Sequence, residues 1–112
     1  MLALNITFRN LEPSDNIRDR AEKKFRKVAK HLREPVDAHL VLKVEKHRHS
    51  AEITVSGGSD QHFTAHEVSS DTYATIDALM TKLERSVRRA KERVIDRSQA
   101  GSGESVDGFA AP

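Results

Sequence analysis

The chain has 112 residues, 37% apolar and 32% charged, which is enough for one small core under a heavily charged surface. Cysteine is absent, which excludes disulfides, thiol nucleophiles and cysteine metal sites. No apolar run reaches the ~18–20 residues of a membrane-spanning helix, and the N-terminus lacks the basic and apolar segments of a signal peptide, so a cytoplasmic protein with no membrane partner is expected.

Residues 2–9 alternate, with Leu2, Leu4, Ile6 and Phe8 on one side and Ala3, Asn5, Thr7 and Arg9 on the other. A period of two predicts a half-buried strand. Pro13 then disfavours helix at the residue before it, and Ser14 is a good N-cap. Ile17, Ala21, Phe25, Val28 and Leu32 recur at helical spacing, predicting an amphipathic helix over 14–33 that Glu34-Pro35 ends.

A second alternation turns Val36, Ala38, Leu40, Leu42 and Val44 inward and Asp37, His39, Val41, Lys43 and Glu45 outward. His47-Arg48-His49 reads as a polar turn. Ala51, Ile53 and Val55 predict the inner face of a third strand. Gly57-Gly58-Ser59-Asp60 is a turn cluster, and residues 61–68 form a fourth strand with Phe63 and Ala65 inward. Short connections favour an antiparallel meander. Ser69-Ser70-Asp71 offers caps for a second helix whose apolar seam is Tyr73, Ile76, Met80, Leu83, Val87, Ala90 and Val94, ending near Arg97. Residues 98–112 are rich in Gly, Ser and Ala, and a flexible C-terminal tail is expected there.

The order β-α-β-β-β-α predicts a two-layer α+β domain over residues 1–97. A four-stranded mixed sheet carries both helices on one face, with the first two strands parallel.

Net charge is only +2, but it is unevenly distributed. From Arg18 to Arg33 eight basic residues face two acidic ones, and from Lys82 to Arg97 seven face three. On the first helix Arg20, Lys23, Lys24, Lys27 and Lys30 occupy the surfaces left by the apolar stripe. On the second, Lys82, Arg85, Arg89 and Arg93 are three and four apart and form one ridge, flanked by Arg88 and Lys91. Helices packed on one sheet face lie side by side, so their basic surfaces merge into a patch suited to a polyanion. A lone charge run is more often a solvated face; two runs of one sign on adjacent helices favour binding of a polyanion. Aromatics make up 4% of the chain, and the three Phe of the domain are needed for the core. Backbone and shape recognition of structured RNA therefore fits better than base stacking on an aromatic sheet.

Catalysis has little support. There is no G-x-S-x-G and no phosphate loop; Gly57-Gly58 reads as a hairpin turn, and Asp71 and Asp77 as cap, dipole or local tether partners. No cofactor is implied. His39, His62 and His66 share a strand face and are the candidate for a metal-dependent enzyme, but His66-Glu67 does not begin an H-E-x-x-H motif, and surface histidines are the simpler reading.

Leu42-Lys43-Val44-Glu45-Lys46, Asp71-Thr72-Tyr73-Ala74-Thr75-Ile76-Asp77 and Lys82-Leu83-Glu84-Arg85, with Asn5-Ile6-Thr7 and Ile17-Arg18 before them, resemble the signature segments of the ribosome hibernation promoting factors, in collinear order over residues 2 to about 97. The resemblance implies a fold similar to double-stranded RNA-binding domains. It also implies a non-enzymatic protein that binds the small ribosomal subunit and its ribosomal RNA near the decoding centre. Such proteins block messenger and transfer RNA and inhibit translation in stationary phase. By motif position Arg18, Lys24, Lys27, Lys82, Arg85, Arg89, Lys91 and Arg93 match basic positions of the family; Lys23, Lys30 and Arg88 join them on the charge argument alone. Thr72, Thr81 and Ser86 depart from the family's usual Met, Asp and Gln, and none of these removes a basic group. The chain resembles the short form, expected to be a monomer off the ribosome. The implied activity is promotion of inactive ribosome dimers with a separate small dimerising factor. The alternatives are a single-ribosome inactivator that opposes dimers and a generic structured-RNA-binding module.

Overall fold

The computed structural model describes the backbone of residues 2–100 and the side chains of residues 2–93. Six elements follow the order expected: β1 (Leu2–Arg9), α1 (Asp15–Ala29), β2 (Val36–Glu45), β3 (Arg48–Gly57), β4 (Gln61–Ser69) and α2 (Thr72–Ala100). The sheet order is β1-β2-β3-β4, with β1 parallel to β2 and the other pairs antiparallel.

Each strand's alternation sets which face is buried. Leu40, Leu42, Ala51 and Ile53 are almost wholly removed from solvent. Their cross-strand partners agree: Leu40 lies opposite Ile53, and Leu42 opposite Ala51. β1 is an edge strand, so its Leu4, Ile6 and Phe8 are only half-buried. Phe63 and Ala65 on the other edge, β4, are half-buried too.

The Ser14 hydroxyl caps α1 by accepting from the Ile17 amide at 3.3 Å. Ile17, Ala21, Phe25 and Val28 form its buried stripe. The helix stops at Ala29, four residues short of the expected 33. The His31 and Leu32 amides donate to Val28 and Ala29 carbonyls at 3.0 Å, three residues back, so the chain tightens before it enters β2. Leu32 stays buried from this turn, which is why its helical spacing extended the apolar pattern beyond the helix.

The β2–β3 connection is shorter than expected. Arg48 and His49 belong to β3, and Lys46 takes the positive φ of 57° that the reversal needs. In the β3–β4 turn Gly58 has φ +58°. At Gly57 an added Cβ would stand 2.6 Å from Gln61 Oε1 and 3.1 Å from the Arg33 carbonyl oxygen, so a side chain there would displace the Gln61 amide and crowd that backbone.

Asp71 caps α2, its Oδ2 accepting from the Ala74 amide at 2.9 Å. The seam contains Ile76, Met80, Leu83 and Val87 as expected. It also contains Leu79, with no exposure, and Thr75, at 1%. The Thr75 hydroxyl lies 2.7 Å from the Asp71 carbonyl, 3.1 Å from that of His49 and 2.5 Å from Ser69 Oγ. His49 Nδ1 lies 2.6 Å from Thr72 Oγ1. These buried polar groups are thus satisfied while they fasten α2 to β3 and β4. Tyr73 is half-buried, and Val94 lies outside the described side chains. The helix runs three residues past Arg97, and the rest of the expected tail lies outside the described residues.

Candidate nucleic-acid interface

α1 runs back against β1, and α2 runs back against β4. Because β1 and β4 point the same way through β2 and β3, the two helices are parallel neighbours. Their cross-contacts follow in step. Arg20 and Lys24 meet Asp77, and further along His31 Nε2 meets Glu84 at 3.7 Å. Parallel packing sets the basic C-terminal half of α1 beside the basic stretch of α2. At the end of α1, Arg26 and Lys27 in its last turn also offset the negative end of that helix's dipole.

The tether between the helices is Asp77. It accepts from Arg20 Nε at 3.0 Å and Arg20 Nη2 at 2.9 Å, a bidentate pair, with Lys24 Nζ at 4.0 Å. The hydrogen-bonded Arg20 guanidinium holds the Asp77 carboxyl below the usual carboxylate range, against a smaller desolvation effect. The same carboxylate pushes the Arg20 pKa up. The Arg20 guanidinium also lies 5.6 Å from the Tyr73 ring centroid. Asp77 is therefore an inter-helix tether; the Asp71 carboxylate supplies the cap.

The eleven basic residues singled out from the sequence fall into two groups. Arg18, Lys24 and Lys82 are engaged within the protein. Arg18 sits half-buried over the Phe8 ring at 5.4 Å, near the N-terminal end of α1 and away from the others. Lys24 is drawn to Asp77. Lys82 pairs with Glu67 at 3.3 Å and donates to the His66 carbonyl at 3.1 Å, on the β4 side of α2. Lys23, Lys27, Lys30, Arg85, Arg88, Arg89, Lys91 and Arg93 are exposed and make no ion pair among the described residues. Arg85, Arg88 and Arg89 converge on a shallow groove of α2 that Thr81, Glu84 and Glu92 complete. Eight uncompensated cations on two adjacent helices can each take a phosphate without first breaking an internal contact.

The sequence reading missed the internal engagement of Arg20, which shares its spacing with the free lysines. It also missed Arg33, which pairs with Asp60 across the β3–β4 turn. Only the fold brings those partners near.

His39, His62 and His66 do lie on the helix-free face of the sheet. His39 opposes Thr54, His62 opposes Ser56 and His66 opposes Glu52, so they occupy three different rows, with His39 two strands from the others. His39 Nε2 lies 3.1 Å from Thr7 Oγ1. Among the described residues no three His, Asp or Glu side chains are grouped as a metal ion would require.

A family model described as "Sigma 54 modulation protein / S30EA ribosomal protein" matches residues 4–95. The chain belongs to this family. Curated relatives carry the name ribosome hibernation promoting factor. One, from Azotobacter vinelandii, is 33% identical over 100 residues, covering 88% of this chain and 91% of the relative. Another, from Escherichia coli K12, is 33% identical over 94 residues, covering 83% and 97%. The crystal structure of the Thermus thermophilus Protein Y N-terminal domain superposes with a TM-score of 0.67 at 32% identity, over 79% of this chain and 93% of that one. A Coxiella burnetii protein described as a ribosomal subunit interface protein gives 0.68 at 22% identity, over 80% and 98%, a likeness of fold alone. The basic helix surface is thus a feature of a chain in the hibernation-factor family, on the fold its neighbours share.

Proposed function

We infer that this protein is a ribosome hibernation factor that binds the small ribosomal subunit through ribosomal RNA near the decoding centre. There it blocks messenger and transfer RNA, inhibits translation in the cytoplasm in stationary phase, and promotes inactive ribosome dimers with a separate small dimerising factor. It acts by occupancy, and no bond is made or broken. The observation that carries this is the surface shared by α1 and α2, where Lys23, Lys27, Lys30, Arg85, Arg88, Arg89, Lys91 and Arg93 stand exposed and unpaired among the described residues. Arg18, Lys24 and Lys82 contribute at the margin, where RNA contact must compete with their internal partners. Promotion of dimers is preferred because the curated relatives bear the name of promoting factors.

Sucrose-gradient sedimentation of ribosomes with the purified protein tests the reading. Co-sedimentation that is lost when messenger and transfer RNA fill the channel supports it. A shift to ribosome dimers on adding the small dimerising factor supports promotion, and blocked dimers would make the protein a single-ribosome inactivator. Protein left at the top of a low-salt gradient refutes ribosome binding, and equal affinity for any duplex of the same length would reduce it to a generic RNA-binding module.

A further inference from the structure

At the C-terminal end of α1 a cleft of about 500 Å³ opens between the turn after that helix, the start of β4 and α2. That volume is within the ~300–1,000 Å³ of small-molecule sites. Its apolar lining is Leu32, Phe63 and Ala90. Its rim carries Lys30 and Lys91, both exposed and without an ion pair among the described residues.

The wall is braced before any ligand arrives. The Arg33 amide donates to Gln61 Oε1 at 2.8 Å, and the Gly58 amide to the Pro35 carbonyl at 3.0 Å. The close approach at Gly57 fixes the turn against the Arg33 backbone. Asp60, the acid of the lining, is paired with Arg33, and so its charge is compensated and does not oppose an anion at the rim. An aromatic ring beside aliphatic carbons, with two free ammonium groups at the mouth, matches a planar heteroaromatic base attached to a phosphate. Phe63 supplies the hydrocarbon ring of that lining, beside the imidazoles of His31 and His62, and Lys30 and Lys91 belong both to the cleft and to the exposed basic residues of α1 and α2.

We propose that this cleft binds one nucleotide, its base against Phe63, Leu32 and Ala90 and its phosphate at Lys30 and Lys91. The nucleotide is either an unstacked residue of the bound RNA or a free mononucleotide, and the RNA source rests on the ribosome-binding reading above. If the RNA supplies it, recognition is not confined to backbone and shape, because one base is taken out of its stack and held.

The test has two arms. In the first, labelled wild-type and Ala90→Glu proteins are titrated with adenosine and guanosine monophosphates, and amide shifts of Phe63, residue 90 and Lys91 are followed by NMR. In the second, binding to small ribosomal subunits is measured for wild type, Phe63→Leu, Ala90→Glu and Arg85→Glu/Arg89→Glu. Phe63→Leu keeps apolar volume and removes the ring; Ala90→Glu keeps the helix and sets a carboxylate at the base site. Saturable shifts confined to the cleft, abolished in Ala90→Glu, assign a free mononucleotide. Loss of at least about fivefold in subunit affinity for both cleft variants, at unchanged circular dichroism, assigns an RNA nucleotide, since stacking contributes that much per base. If Phe63→Leu does not fold, Ala90→Gln, which fills the base site without adding a charge beside Lys91, takes its place. Cleft variants that bind subunits as wild type does, with no cleft shifts in the first arm, overturn the proposal, while weakened binding by Arg85→Glu/Arg89→Glu in the same assay shows that the ribosome-binding reading survives it. Wild-type protein that does not bind subunits refutes the RNA source, and the mononucleotide arm then decides.

Discussion

Reversing Arg85 and Arg89 together should change the salt dependence of RNA binding by a calculable amount. Both side chains are exposed and neither makes an ion pair among the described residues, so their loss leaves no partner stranded. Eight cations of the surface share that condition. If each neutralises one phosphate of a duplex, log K falls against log salt with a slope of about −7, or roughly four decades of affinity between 50 and 200 mM salt. Arg85→Glu/Arg89→Glu removes two such contacts, so the slope should flatten to about −5, before any repulsion from the new carboxylates. The assay is filter binding of small ribosomal subunits at five or six salt concentrations, with a melting curve as the fold control. Stability should move by less than about 0.5 kcal/mol, as for surface substitutions away from special features. A double variant with the wild-type slope would refute the assignment of these arginines. A wild-type slope shallower than about −2 would refute the electrostatic account of the whole surface.

Three further outcomes test the fold that holds this surface. Leu83→Ala, at a position with no exposure on the α2 seam, should cost about 2–5 kcal/mol in urea unfolding, and a smaller loss would mean the seam relaxes around the cavity. Thr75→Val keeps the shape and removes the hydroxyl that serves His49, Asp71 and Ser69, so about 1–3 kcal/mol should be lost. Asp77 has its pKa lowered in the folded state, chiefly by the Arg20 hydrogen bond, so its stabilisation is complete above the ordinary carboxylate pKa of about 4 and is lost as pH falls through the lower folded value. Asp77→Asn should therefore flatten the acid limb of the melting temperature against pH, and an unchanged limb would deny the tether its role.

Element by element, the local pattern carried most of the fold. The alternation of Leu40, Leu42, Ala51 and Ile53 placed the inner sheet face correctly, because a period of two has one burial solution once a face is covered. The end of α1 was overextended because Leu32 keeps helical spacing while sitting in a tighter turn. The seam of α2 omitted Leu79 and Thr75 because a helix covered by both a sheet and a neighbouring helix buries a wider arc than a three-and-four stripe. Thr75 in particular carries a polar label, and only its hydrogen bonds make its burial tolerable.

For the interface, sequence alone determined which side chains are basic and which helical faces they take, since spacing along a helix fixes angle. It also determined that an all-purpose aromatic platform is absent. Tertiary structure decided the rest. A parallel β1–β2 pair and two hairpin reversals make α1 and α2 run the same way, and that direction sets the cationic C-terminal half of α1 beside the cationic middle of α2. It also decided that Arg20 meets Asp77, that Lys82 meets Glu67, and that Phe63 borders a cleft with Lys30 and Lys91 at its mouth. These partners are 57, 15, 33 and 28 positions apart in the chain. Coulomb and hydrogen-bond energies act over a few ångströms of space and carry no trace of themselves in the local pattern.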